Sequence, residues 1–414
     1  MKYVILHGEG MVDGPHKDLG GKTPLQAAAT PNMDGLAKTG ELGLAVIATE
    51  GVTAGRPLSA LAFLGYDLRK YQSGLAPFEA ASQGVALGEH DVAFRCSLVT
   101  LRSGAPKGKA EAFDEIKKLG PQVVMDDAAA GGVSNDQARE VIDAINEQLG
   151  SEAIQFYPGE GHRNLMVWVG GKARATCHDP REVAGQAIGP FLPTGDGADI
   201  LRKVMESSLV ILQGHPVNLE RRDAGLKPAN CIWLWAPGRA PKIPKLTERY
   251  QLTGAIVSGR ELVRGIGIYA GLDAVSPSGS AEAGETDFLA LAEAGLRELE
   301  KKDLVYVHGK MPSDVARGAD PKAKVKVVEE FDRKLVGTLL DGLSKLGSYR
   351  LVLVCDRPSV GKPDQPASPA LYVLSEGPGG AAKGRGGFNE ADAEAAGAGA
   401  RDATRLINRL LNKG

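Results

Sequence analysis

Residues 2–6, KYVIL, form an apolar run that ends at Gly8. A run without polar alternation predicts a strand buried on both faces, as in a parallel sheet. The same pattern predicts strands in DLVYVHG (303–309), YRLVLVCD (349–356) and LTGAIVSG (252–259). Helical periodicity precedes the two late strands, in DFLALAEAGLRELEKK and KVVEEFDRKLVGTLLDGLSKL, while RELVRGIGIYAGL follows the strand at 252–259. Strands and helices alternating in this way predict an α/β domain with a parallel sheet. In such sheets ligands bind beyond the carboxyl ends of the strands. Those ends are His7-Gly8-Glu9-Gly10, His308-Gly309-Lys310 and Cys355-Asp356-Arg357, where chemistry is expected first.

The middle of the chain reads differently. HDVAFRCSLVTLR (90–102) predicts a strand, NDQAREVIDAINEQL (135–149) a helix, and IQFYPGEGHRNLMVWVGG two β-rich runs about a Gly turn. An α+β domain inserted at 86–199 is expected, with 1–85 and 200–414 forming the α/β domain. From Ser375 onward the chain is rich in Gly and Ala, which predicts a mobile loop leading into a C-terminal helix, DATRLINRLLN. No internal repeat is evident.

Composition narrows the function classes. Hydrophobic residues make up 43% and charged residues 24%, which excludes a disordered or fibrous chain. With 49 basic and 51 acidic residues the net charge is −2, so no global field favours nucleic acid or an anionic membrane, and neither is expected as a partner. The four cysteines (Cys96, Cys177, Cys231, Cys355) are far apart and form no CxxC pair, so neither a thiolate zinc site nor a disulfide framework is signalled. The opening apolar run is too short for a signal peptide, and no run approaches the ~18 apolar residues of a membrane span. A cytoplasmic setting is expected.

Three blocks carry a resemblance: MVDGPHKDLGGKTPLQAAATPNMDGLAKTGELG, FLGYDLRKYQSGLAPFEAASQGVALGEHDVAFRCSLVTL and HPVNLERRDAGLKPANCIWLWAPG. Together they resemble the archaeal-type cofactor-independent phosphoglycerate mutases of the alkaline phosphatase superfamily, in collinear order from residue 1 to about residue 410. The resemblance implies a phosphatase-like α/β domain with an inserted second domain. It implies phosphate transfer between the 2- and 3-hydroxyls of glycerate through a phosphorylated serine. Two divalent metals, typically manganese or zinc, activate that serine and clamp the phosphoryl oxygens.

Position by position, the chain departs from that pattern. The family's GDGMAD, whose Asp binds metal, is here GEGMVD, with Glu9. The serine pattern PGSDVANLSILGYD is here AGRPLSALAFLGYD, which puts Arg56 at the nucleophile position and Pro57 at the next. Arginine is cationic at ordinary pH and is no nucleophile. Ser59 lies three residues on, out of register. PDEAGH, whose Asp and His bind metal, is here PSDVAR, giving Ser313 and Arg317, with Asp314 one place out of step. The family's strand-end DH is here Asp356-Arg357, and no His follows in PSVGKPDQPASPA. Glu9 and Asp356 are thus remnants of a metal site, and no catalytic residue is expected.

Arg56, Arg317 and Arg357 share a sign. They are expected to converge near Glu9 and Asp356 and to neutralise them where metal ions otherwise would, since an unpaired buried carboxylate is costly. The other reading is a water-filled cleft with each arginine solvated. Retained residues include Arg95, Arg163, His178, Asp179, His215, Asn218, Arg221 and Arg222. Arg95, Arg163, Arg221 and Arg222 are candidates for binding an anionic ligand, because guanidinium groups hold phosphate or carboxylate bidentately. Against that, Arg221 and Arg222 also read as helix-surface charges and Asn218 as a cap. His7 reads either as a general base or as a structural histidine. Trp233 and Trp235 alternate along a strand and read as core.

Two function classes remain. One is a metal-free, non-catalytic member of the mutase family that binds a small phosphorylated or carboxylated metabolite, with no cofactor expected. The other is an active mutase with Mn or Zn.

Overall fold

The computed structural model describes residues 1–47, 58–71, 73–104, 116, 118–277, 286–318, 320–357, 369–377, 386–397 and 399–412. Two compact units emerge, Met1–Gln72 with Lys242–Gly414, and Ser73–Pro241. The chain opens with β1 (Lys2–Glu9) and β2 (Glu41–Val46) in the first unit. It then builds the second with β3 (Val92–Ser103), β4 (Val123–Asp127), β5 (Ile154–Glu160), β6 (Arg163–Trp168) and β7 (Cys231–Gly238). Returning to the first unit, it adds β8 (Gly254–Ser258), β9 (Asp273–Val275), β10 (Leu304–Lys310), β11 (Tyr349–Cys355), β12 (Ala370–Gly377) and β13 (Ala400–Asp402).

The first unit is α/β, as its apolar runs predict. Its sheet runs β13-β2-β12-β11-β1-β10-β8-β9. The strands from β11 to β9 are parallel, and β12 is antiparallel to both its neighbours. β1 lies between β10 and β11, which explains why Val4, Ile5 and Leu6 are all fully buried. The helix Phe288–Lys301 is started by Asp287, whose side chain accepts from Ala290 N. The helical run predicted before β11 starts at Pro321 and contains a wide π-turn, Phe331–Gly337. That turn buries both Phe331 and Asp332. Asp332 accepts from the Met33 amide at 2.7 Å and from the Asn32 amide at 3.2 Å, anchoring the helix Pro31–Thr39 by its amino end.

Gly8 and Gly309 are register partners on β1 and β10 beneath Phe331. A Cβ on Gly8 would lie 2.8 Å from Cys355 Sγ and 3.0 Å from both Met11 Cγ and Phe331 Cζ. These neighbours are buried and have nowhere to retreat. Gly8→Ala should therefore cost about 1–3 kcal/mol by overpacking, read as a lower urea midpoint at unchanged m-value.

The second unit is α+β. Its sheet runs β4-β3-β6-β5, with β7 also paired to β3. The helix Asn135–Leu149 spans the predicted residues, and Ser134 and Gln137 close a capping box at its start. The expected insert of 86–199 is narrower than the compact unit. Ala76 and Ala80 of the helix Ala76–Ser82 pack on Ala93 and Leu165, which extends the unit toward the amino terminus. Leu201, Met205, Leu209 and Leu212 join Ile142, Ile145 and the fully buried Trp233 in one core, which extends it toward the carboxyl terminus.

The stretch after Ser375 also differs from a loop where it is described. β12 continues to Gly377, Glu390–Ala395 is helical, and β13 pairs with β2. Residues 378–385 and 398 lie outside the described residues. The C-terminal helix is short, Leu406–Leu410, preceded by a 3-10 turn, Ala403–Arg405.

Candidate functional site

The carboxyl ends of β1, β10, β11 and β8 converge on Glu9, and the register explains how. His7 is level with His308, Glu9 with Lys310, Gly8 with Cys355, and His308 with Ser258. Two hydroxyl–imidazole–carboxylate chains result. In one, Ser258 Oγ lies 2.9 Å from His308 Nδ1, and His308 Nε2 lies 3.0 Å from Glu9 Oε2. In the other, Tyr306 Oη lies 2.8 Å from His7 Nδ1, and His7 Nε2 lies 3.2 Å from Asp356 Oδ2, out of line for a hydrogen bond. The two imidazole rings are 4.9 Å apart. All six side chains belong to residues at most 5% exposed.

Among the described residues, the guanidinium that meets Glu9 is that of Arg260, which follows β8 and precedes the helix Glu261–Tyr269. Its Nη1 sits 2.6 Å from Oε1 and 2.6 Å from Oε2, so both carboxylate oxygens chelate one nitrogen. The Arg260 side chain is 12% exposed. Its own amide donates to Ser258 Oγ at 3.0 Å, which ties guanidinium and imidazole to one hydroxyl.

Burial alone would raise the Glu9 carboxyl. The Arg260 guanidinium, His308 and Lys310 overcome it and hold Glu9 well below the usual carboxylate range. Burial pushes His308 down to about 4, with the nearby His7 and Arg260 adding to the effect against Glu9. His308 is therefore neutral at pH 7. Nε2–H donates to Glu9, and Nδ1 accepts from the Ser258 hydroxyl. The Tyr306 hydroxyl is raised well above its ordinary value, by burial first and then by Asp356 and Glu9, and it shares a hydrogen bond with His7 Nδ1.

The other expected residues are distributed as follows. Asp356 accepts from the Gly10 amide at 3.3 Å. Arg357 is exposed, and its charge favours the carboxylate of Glu390. Ser313 accepts from Lys310 Nζ at 2.9 Å. Asp314 is exposed and Ser59 opens the short helix Ser59–Phe63. Arg56 and the side chain of Arg317 lie outside the described residues. His308 stands at one of the strand ends where chemistry is expected first, whereas Arg260 is not among the expected residues, and neutralisation of Glu9 by Arg56 or Arg317 falls outside the described residues. The signal for Arg260 was present, because it lies just beyond the end of a predicted strand.

In the second unit, Arg221 is 3% exposed and is consumed structurally. It donates to Gln137 Oε1 and to the carbonyls of Lys227, Ala130 and Gly131 at 2.7–3.1 Å. It is neither a helix-surface charge nor available to a ligand. Arg95 holds Glu79 through Nε and Nη2 and lies 4.7 Å over the Trp235 ring. Arg163 contacts Glu160 at 3.3 Å, and Arg222 is half-buried. Asn218 is fully buried and binds the carbonyls of Leu212 and Ala229 and the amide of Ala229. Asp179 caps the turn Pro180–Val183, and the His178 carbonyl accepts from Trp233 Nε1.

Comparison with known proteins decides the family. The profile of 2,3-bisphosphoglycerate-independent phosphoglycerate mutase matches residues 37–218. A Geobacter sulfurreducens protein named "Probable 2,3-bisphosphoglycerate-independent phosphoglycerate mutase" is 40% identical over 414 residues, covering 100% of both chains. The chain belongs to that mutase family. A phosphoglycerate mutase of Methanothrix thermoacetophila is 38% identical, over 87% of this chain and 86% of its own. Among solved structures, a Pyrococcus horikoshii protein matches with TM-score 0.76 at 25% identity, over 100% of this chain and 97% of its own. The cofactor-independent phosphoglycerate mutase of Thermoplasma acidophilum matches with TM-score 0.63 at 25% identity, over 100% of both chains.

The divalent metals that the resemblance implies do not fit the donors around Glu9. Both Glu9 oxygens are turned onto a guanidinium nitrogen, and His308 presents N–H rather than a lone pair. Among the described residues no group of three or more His, Cys, Asp or Glu could hold a metal ion. Nor is any described helix long and apolar enough to cross a membrane.

Proposed function

We propose that this chain is a divergent member of the mutase family that binds a small phosphorylated or carboxylated metabolite without divalent metal and without mutase turnover. The observation that carries this reading is the chelation of Arg260 Nη1 by both Glu9 oxygens, at the strand end where the family pattern has a metal-binding Asp. Arg56 at the nucleophile position supports it, because a guanidinium, cationic at ordinary pH, is no substitute for an activated serine hydroxyl. Arg163 and Arg222 are the proposed anion contacts because the resemblance retains both, Arg163 turning from its 3.3 Å contact with Glu160 to reach a ligand. The near-neutral charge balance supports a small-molecule ligand rather than nucleic acid, in a cytoplasmic setting.

A second reading, an active mutase, is favoured by the 40% identity to a named mutase over the full chain. The two separate in a coupled assay of 3-phosphoglycerate conversion, with and without Mn²⁺. The expected result is no turnover above a heat-killed control in either condition. Turnover that survives purification and disappears in Glu9→Ala and Asp356→Ala would establish the second reading. Calorimetry should show 3-phosphoglycerate binding weakened at least about tenfold by Arg163→Ala or Arg222→Ala, the effect of losing a charge-assisted contact.

A further inference from the structure

We propose that the first unit carries a binding site for a small oxyanion of the phosphate class, formed by Arg401, Arg409 and Tyr372 around Glu41. The site lies at the β13 edge of the sheet. It uses none of the residues on which the function proposed above rests, and so goes beyond that reading.

The sheet register sets the site out. Tyr372 on β12 is level with Gly43 on β2, and Arg401 on β13 is level with Ala45. Side chains alternate between faces along a strand, so Glu41, Gly43 and Ala45 share one face with Tyr372 and Arg401. Leu42 and Leu44 take the other face and pack on the main core. Gly43 makes room for the tyrosine, because a Cβ there would lie 2.9 Å from Tyr372 Oη. The ring lies across the strand, and its hydroxyl donates to Glu41 Oε1 at 3.2 Å. Arg409 reaches the same two groups from the helix Leu406–Leu410.

Arg401 donates through Nε to Tyr372 Oη at 2.9 Å and through Nη2 to Glu41 Oε1 at 3.2 Å. Arg409 Nη1 donates to Glu41 Oε1 at 2.8 Å and to Tyr372 Oη at 3.3 Å, and its Nη2 holds Glu41 Oε2. Arg409, acting against burial and joined by Tyr372 and Arg401, holds the Glu41 carboxyl below its ordinary value. The carboxylate is therefore ionised at pH 7, and two guanidiniums share it. That leaves an excess of one positive charge. Arg401 Nη1 and Arg409 Nε take no part in these bonds. The two arginine side chains are 40% and 29% exposed, so an anion reaches them from solvent. Guanidinium groups hold phosphate oxygens through directed N–H bonds, and a bound oxyanion offsets the excess charge.

The test is calorimetric titration of the full chain with inorganic phosphate at constant ionic strength. Wild type is compared with R163A/R222A, which lacks the anion contacts proposed above, and with R401Q and E41Q each added to R163A/R222A. R163A/R222A should still bind phosphate. Adding R401Q should weaken that binding at least about tenfold, the effect of losing a charge-assisted contact. Adding E41Q removes the competing carboxylate and should tighten it. If R163A/R222A takes no phosphate the inference is overturned, and if wild type still binds it the reading of Arg163 and Arg222 stands. Phosphate bound equally with and without R401Q, or weakened by E41Q, also overturns the inference. Equal binding by wild type and R163A/R222A that is lost on adding R401Q supports the inference and counts against Arg163 and Arg222 as phosphate contacts. Should R401Q fail to fold, the arginine Nε–H resonances of isotope-labelled R163A/R222A replace it. Saturable shifts at Arg401 and Arg409 on adding phosphate support the site, and unmoved resonances overturn it.

Discussion

Arg260→Ala is expected to lower the unfolding free energy of the EDTA-treated protein by about 3–5 kcal/mol, the cost of stranding a buried charge. The pair qualifies because the two side chains are 12% and 6% exposed and Nη1 is within hydrogen-bond reach of both Glu9 oxygens. Most of that cost is the desolvated Glu9 left behind, so Glu9→Gln in the same chain should recover a large part of it. Urea denaturation of the four-member cycle measures the coupling. Removing the carboxylate alone strands the guanidinium and should also destabilise, so the double variant should lie above the sum of the singles. A loss under about 1 kcal/mol for Arg260→Ala would mean that the pair behaves as an exposed one.

Acidification gives the second large effect. His308 has an ordinary value of 6.5 and a folded value of about 4. Between these limits the unfolded chain binds a proton that the folded chain refuses, so stability falls as pH falls. The difference amounts to about 3 kcal/mol, complete near pH 4. Glu9, held low, keeps its contribution down to its ordinary value of 4.5, at the acid edge of this window, and loses it progressively below that. Asp332 and Glu390, whose carboxyls burial raises, act in the opposite sense, because ionising them costs stability as pH rises. The His308 contribution is therefore isolated as a difference. Wild type should lose about 3 kcal/mol more than His308→Gln between pH 7 and pH 4. Parallel pH profiles for the two proteins would show that His308 titrates normally.

The central strands were legible in the sequence because they are buried on both faces, and burial on both faces writes itself as unbroken apolar runs. β8, β10 and β11 lie within two residues of their predicted bounds, and β1 runs three residues past its predicted end. β13 was not legible. Its three residues, Ala400–Asp402, are a strand only because β2 lies beside them. The π-turn was equally hidden, since Phe331–Gly337 keeps a helical apolar rhythm and its widening depends on what packs beneath it. At the site, three strand ends are marked in the sequence by a histidine or an acid, and the fourth, Ser258 to Arg260, carries neither. Arg260 sits 251 residues from Glu9 and looks locally like the residue before a helix. Arg221 misled for the opposite reason. Its sequence neighbours Glu220 and Arg222 are charged, as on a helix surface, while its own partners include loop carbonyls some 90 residues upstream.

The strand order of the first sheet has a consequence for the ribosome. β1 is made first, yet both its neighbours, β10 and β11, come roughly 300 residues later, as the 299-residue separation of Glu9 and His308 marks. β2 waits longer still, for β12 and β13. At about 5–20 residues per second, β1 is out and unpaired for about 15–60 s. During that interval the second unit, contiguous from Ser73 to Pro241, has all its strands available and can close by itself. Nascent chains halted near residue 260 should accordingly protect the second unit from protease while leaving the amino-terminal segment cleavable. The apolar run at 2–6 is then the part of this protein most in need of a chaperone during synthesis.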